Sequence, residues 1–208
     1  MSAPTDRPAS PAAPPSNPAR APELDAAIRA GLTRLEPEAL QVFFDHYFDR
    51  VYAYLRRLVR EEHLAEDLTQ DVFLHVHRSL PRYDPERPLS PWVYTIATNK
   101  VRDHWRSRRH QEERRIQSVD DEDAGVELTA RDGAPTAELE SNEASAQVAA
   151  AVAELPDVLR ETFVLRFYEG QSFEEIGRIV DRNETAVRKR YSRALQELRG
   201  VLEHLVDR

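Results

Sequence analysis

Cysteine is missing from this chain, and several other residue types are scarce. Without cysteine there is no disulfide framework, no thiolate metal site and no thiol redox switch. Glycine occurs only 6 times in 208 residues, and β-branched runs are short. Both scarcities favour an all-helical fold. No apolar run approaches the length of a membrane span, and the N-terminus carries no apolar h-region, so a soluble cytoplasmic protein is the expectation. Lysine stands only at positions 100 and 189 while arginine is abundant. A GC-rich coding sequence explains that bias as well as nucleic-acid binding does. The 7 histidines make no zinc-ligand spacing, and His75 and His77, two apart, face different directions on a helix. There is no phosphate-cradling glycine loop and no nucleophile elbow. Asp120 and Asp121 fall in a polar stretch that offers no pocket. Neither enzyme chemistry nor a cofactor or metal is expected.

The formal net charge of −8 argues at first against a polyanionic partner. Its distribution reverses the argument. Residues 1–36 sum to 0, residues 37–115 to +1, residues 116–148 to −8 and residues 149–208 to −1. The whole excess lies in one middle segment, and its flanks are near neutral with local basic clusters. The local footprint is what a partner meets.

Residues 1–22 hold seven of the fourteen prolines among Ala and Ser. They read as a disordered tail, too poor in large apolar groups to offset ordering entropy. A short helix is expected over 24–35. From Pro37, which suits a first helical position, Leu40, Phe43, Phe44, Tyr47, Val51, Tyr54 and Leu58 recur at helical spacing. A second helix is expected from about Leu64 to Leu80, with Leu68, Val72, Phe73 and Val76 inward and Glu66, Asp67, Gln70 and Asp71 on an acidic outer side. PRYDPERPLSP (81–91), with four prolines, is a loop. A third helix opens near Ser90–Pro91, carries Trp92, Val93, Ile96, Ala97, Val101 and Trp105, and ends in a basic run of Arg102, Arg106, Arg108, Arg109, Arg114 and Arg115. Residues 116–144 read as an acidic linker. As a flexible coil such a segment has an r.m.s. span of about 30 Å and an extended limit of about 110 Å. A last domain, 145–208, follows. One helix is expected near 145–153. Another starts at Leu155–Pro156 with Val158, Leu159, Phe163, Val164 and Phe167 inward, and Gly170 stops it.

The stretch from Ser172 to Leu202 has the plan of a helix-turn-helix. Ser172 and Glu175 make a capping-box pattern. Phe173, Ile176, Ile179 and Val180 fall on one face, the polar step Asp181–Arg182–Asn183 breaks the helix, and Asn183 suits the N-cap of the next. On that second helix Val187, Tyr191, Ala194, Leu198 and Leu202 face inward. Arg188, Lys189, Ser192, Arg193 and Gln196 share the outer side. Arginine there can grip guanine edges bidentately or hold phosphates. A helical hairpin with a solvated arginine face gives the same pattern.

Two stretches carry a family resemblance. LAEDLTQDVFLHV (64–76) with SPWVYTIATNKVRDHWRSRR (90–109) resembles conserved region two of the sigma-seventy family of bacterial RNA polymerase initiation factors. Residues 155–198 resemble region four. Their order, and the linker in place of a middle domain, look like the extracytoplasmic-function (ECF) subgroup. The resemblance covers roughly residues 37–115 and 145–203. It implies that Glu66, Asp67, Leu68, Gln70 and Asp71 dock on the clamp helices of the polymerase largest subunit, and that the apolar side of the last domain meets the flap of the second-largest. It implies that Tyr83, Trp92 and Tyr94 offer rings, and Asn99, Lys100, Arg102, Arg106, Arg108 and Arg109 offer strand contacts, at an opened minus-ten element. Trp92 has equally the spacing of a core residue. Arg188, Lys189, Arg190, Ser192 and Arg193 fall at the positions that face the minus-thirty-five element. Three departures stand out: Thr185–Ala186 where Gly–Thr is frequent, Leu89 where an aromatic is frequent, and Thr95 where a basic residue is frequent.

The resemblance implies a promoter-specificity subunit that partners core RNA polymerase and promoter DNA in the cytoplasm. Proteins of the group are commonly held by an anti-sigma factor. Two modules straddling two turns of duplex stand roughly 70 Å apart, so the polymerase has to hold them separated. The acidic linker either imitates a nucleic-acid backbone in the polymerase cleft or is a spacer. The competing expectation is a stand-alone helix-turn-helix regulator that binds an operator as a dimer.

Overall fold

The structure, a computed structural model, describes the backbone of residues 23–119 and 141–206 and the side chains of residues 23–109 and 147–199. The expectations about the proline-rich tail, about most of the acidic linker and about Leu202 lie outside those side chains. The described residues are helical, with no strand among them.

Helix α1 (Ala26–Thr33) opens on Asp25, whose Oδ1 accepts the amide of Ile28 at 2.9 Å. Helix α2 (Pro37–Leu58) has Pro37 in its first turn, where the missing N–H costs nothing. Helix α3 (Glu62–Ser79) is followed by a 3-10 turn at Leu80–Arg82, and helix α4 runs Leu89–Val119. Phe43, Tyr47, Val51, Tyr54 and Leu58 of α2, Val72 and Val76 of α3, and Val93, Ala97 and Val101 of α4 close one core. Phe73 stacks on Phe44 and meets Phe43 edge-on, while Tyr54 shares a buried 2.7 Å hydrogen bond with Thr98.

The second module holds α5 (Ser141–Glu154), α6 (Asp157–Phe167), α7 (Phe173–Val180) and α8 (Glu184–Val206). Gly170 takes φ 68°, and the amide of Gln171 returns to the carbonyl of Leu165, so the expected glycine stop is a left-handed cap. Both halves of the Ser172–Glu175 capping box form. Asn183 caps α8 through the amide of Ala186 at 2.8 Å. Between α7 and α8, Asp181 adopts φ 53°. The turn folds back so closely that a Cβ on Gly177 would lie 2.6 Å from the carbonyl oxygen of Arg182. Glycine is required there for close approach, not for its φ.

One expectation is revised in part, and one contact is new. Of the expected inward stripe of α6, Leu159, Phe163 and Val164 are buried, but Val158 and Phe167 are exposed, and buried Leu165, Glu161 and Thr162 join the stripe instead. The two modules pack on each other in the free chain, a contact the sequence pattern did not announce: α4 packs on α7, and α2 packs on α5 and α6.

Candidate nucleic-acid interface

Three surfaces hold most of the residues that the sequence singles out. On α3, Glu66, Asp67, Gln70 and Asp71 are exposed along one side. Leu68 is not part of that surface; it is buried with Ala65 and Val72 in the core. His63 Nδ1 stands 3.3 Å from Glu66, and Lys100 Nζ of α4 stands 3.5 Å from Asp71. The acidic strip therefore adjoins the cationic side of α4.

On α4, Asn99, Arg106, Arg108 and Arg109 are exposed, and Lys100 is half-buried. Arg106 pairs with Asp103 at 3.2 Å, a surface contact of little energetic weight. The preceding loop is compact: the Arg87 amide donates to the Asp84 carbonyl at 3.0 Å, and the Tyr83 hydroxyl donates to the Arg87 carbonyl. Tyr83 is buried, with its hydroxyl pushed up to about 12 by that burial, and its ring lies 4.9 Å from that of Trp92. Trp92 is half-buried, between its two expected roles. Of the three candidate rings it alone keeps an accessible part.

Tyr94 and Arg102 are placed elsewhere. Tyr94 is fully buried, and its hydroxyl donates to the Glu169 carboxylate of the second module. Arg50 and Arg57 of α2 reach the same carboxylate at 3.4 and 3.9 Å. Arg102 grips Glu161 with two donors, at 2.9 and 2.7 Å, and donates to the Val180 carbonyl at 3.3 Å. The Glu161 and Glu169 side chains are 1% and 4% exposed. Burial holds both carboxyls above the ordinary range in spite of the arginines. Around this pair Arg160 donates to the Leu58 carbonyl at 2.9 Å, Gln171 donates to Ser90 Oγ at 2.8 Å, and Arg57 lies over the Tyr168 ring at 4.1 Å. In this closed arrangement two of the candidate minus-ten residues are spent on the contact between modules. Sequence periodicity did not flag Glu161, Glu169, Arg50, Arg57 or Gln171. The available signal was a pair of acidic residues bracketing the apolar run of 162–168.

On α8, Arg188, Lys189, Ser192 and Arg193 are exposed side by side. Arg188 is held by Glu184 at 2.9 Å and over the Phe173 ring at 4.4 Å. Arg190 departs from the expectation. It lies about a quarter-turn away, is half-buried, and has its pKa lowered by burial, with Glu161 opposing that shift. It turns out of the exposed row, toward Glu161 of α6 in its own module.

An all-helical chain with a helix-turn-helix and an exposed cationic row on each of two modules belongs to the class of helical DNA-binding proteins. Family models narrow this: Sigma-70 region 2 matches residues 43–111 and Sigma-70, region 4 matches residues 145–198. RNA polymerase sigma factor CarQ of Myxococcus xanthus is 36% identical over 168 residues, covering 81% of this chain and 91% of CarQ. ECF RNA polymerase sigma factor SigW of Bacillus subtilis is 29% identical over 177 residues, covering 82% and 92%. The solved structure of CnrH in complex with the cytosolic domain of CnrY is similar in fold, with TM-score 0.64 and 22% identity over 86% of this chain and 97% of that one. The chain belongs to the sigma-70 family of RNA polymerase sigma factors, in the ECF subgroup. It is a transcription initiation factor that gives the polymerase promoter recognition, not an enzyme, and the dimeric-regulator alternative is not favoured. Among the described residues no helix is long and apolar enough to cross a membrane.

Proposed function

We propose that the three surfaces divide the work of initiation, in the cytoplasm. The acidic side of α3, with Glu66, Asp67, Gln70 and Asp71, docks on a basic surface of core polymerase by charge complementarity. The loop at 83–88 and the exposed side of α4, with Trp92, Asn99, Lys100, Arg106, Arg108 and Arg109, take the opened minus-ten strand. Unpairing a base costs a few kcal/mol and is offset by capturing it. Tyr94 and Arg102 join that surface only once the modules part. The N-terminal half of α8, with Arg188, Lys189, Ser192 and Arg193, enters the major groove of the minus-thirty-five element. An anti-sigma protein is a further proposed partner, since the structurally similar sigma factor RpoE of Bartonella quintana is found in complex with the anti-sigma factor NepR. The observation that carries this reading is the exposed row Arg188–Lys189–Ser192–Arg193 opening a helix-turn-helix whose caps and turn are all formed.

Arg188→Ala with Arg193→Ala tests it. Each bidentate base contact is worth about 1–3 kcal/mol. Initiation from a duplex promoter should therefore fall tenfold or more, at about that magnitude per contact, while co-elution with core polymerase is unchanged. Unchanged initiation would refute the assignment of this surface.

A further inference from the structure

We infer that Glu23 and Arg29, on the segment ahead of α2, are positioning residues for the 83–88 loop and thereby set how strictly bases of the minus-ten element are discriminated. The inference rests on the proposed role of that loop.

The loop cannot brace itself fully. Pro85 and Pro88 lack an amide donor, and Asp84, Glu86, Arg87 and Pro88 are exposed. Two outside groups hold its exit. Arg29 Nη1 donates to the Arg87 carbonyl at 3.1 Å, from 58 positions upstream. Glu23 Oε2 accepts the amide of Leu89 at 3.2 Å, from 66 positions upstream. Leu89 is the first residue of α4, so this carboxylate satisfies one of the amides that the helix leaves unpaired and sits at the positive end of its dipole. The Arg87 carbonyl thus receives two donors, the Arg29 guanidinium and the Tyr83 hydroxyl, and Tyr83 in turn lies against Trp92.

The clamp is itself anchored. Asp25 caps α1, and Leu32 is fully buried. A Cβ on Gly31 would fall 2.8 Å from that of Ala39, so α1 seats directly on α2. A tie from a fixed helix to one carbonyl, and another from the residue two positions before its N-cap to a helix-terminal amide, fix the loop's course without occupying its exposed tip. Preorganisation of this kind lowers the ordering cost of binding. Losing it affects base capture, not docking on the polymerase.

The test uses the full chain with core polymerase, on a promoter mapped by transcription of genomic fragments and then randomised across the minus-ten positions. The readout is the ratio of open-complex yield between preferred and substituted sequences. Glu23→Ala and Arg29→Ala should lower that ratio about fivefold, the scale of one or two hydrogen bonds, with polymerase affinity unchanged and melting temperature lowered only by the few degrees that such a bond contributes. Glu23→Gln and Arg29→Lys keep an acceptor and a donor and should restore the ratio. Native discrimination in both alanine variants overturns the clamp. So does a parallel fall in melting temperature and polymerase affinity, which marks a merely structural role. The loop-tip variants Glu86→Ala and Arg87→Ala separate the two layers. If the tip changes discrimination and the clamp does not, the clamp alone falls. If the tip changes nothing, the loop reading falls and takes the clamp with it.

Discussion

Glu161 and Glu169 bracket the most apolar run of α6 and are among the most buried charged side chains described in the molecule. An unpaired carboxylate in such a place would cost several kcal/mol, and the arginines around both are what the position demands. Burial still outweighs those arginines, so both carboxyls titrate above the ordinary value. The native state then binds more protons than the unfolded chain. The stability these two groups contribute is complete below the ordinary carboxylate value of about 4.3 and is lost as pH rises through their raised values. A carbon-detected NMR titration of the full chain should find both above the ordinary value. A result at or below it contradicts the burial. At the same scale, helical spacing put Leu68 inward and left Arg190 out of the outer row, as observed, and the family resemblance alone assigned both to partner surfaces. Arg190 lies within the basic block that carries the resemblance, but successive helix residues turn by about 100°, and Arg190 turns out of the row. Leu68 sits inside a charged motif that matches as a block, while only its neighbours reach the surface.

At the scale of elements, most of the fold was legible. The caps at Ser172–Glu175 and Asn183, the left-handed stop at Gly170 and the first-turn Pro37 are local chemistry, and local chemistry is written in sequence. The stripe of α6 was legible only in part, at Leu159, Phe163 and Val164 and not at Val158, Leu165 and Phe167, because α6 packs against α8 on one side and α2 on another. A helix covered on several sides shows no single apolar face. The helix-turn-helix rests on two local devices with separate tests. Asn183→Ala should cost about 1 kcal/mol through loss of the N-cap, measured by denaturant unfolding. Gly177→Ala gains helix propensity, but its Cβ meets the Arg182 carbonyl, and overpacking against backbone costs about 1–3 kcal/mol. Chemical denaturation should show net destabilisation. A stabilised variant would mean that the turn is looser than described.

At the scale of the whole molecule the closed packing of the two modules was not legible, because it depends on an ion pair 59 positions apart in sequence and a tyrosine–carboxylate hydrogen bond 75 positions apart. No periodicity reports such pairs. On the proposed minus-ten assignment of Tyr94 and Arg102, whose side chains are engaged there, we propose that the chain alone presents an incomplete minus-ten surface and that promoter opening requires the modules to part. Glu161→Lys sets a like charge against Arg102 and should open the free chain. The lack of native cysteine lets Glu38→Cys and Glu197→Cys carry a dye pair without background. Energy transfer should be high in the otherwise native chain, low with Glu161→Lys, and low in the native chain once core polymerase is bound. Equal transfer in all three states would mean that the closed contact is no barrier. The most direct measurement of the central claim is transcription of genomic DNA by core polymerase with and without the purified chain. The account predicts initiation at discrete promoters that core polymerase alone does not use. Start sites identical to those of core polymerase alone, or tight symmetric binding of duplex DNA by the chain without polymerase, would contradict it.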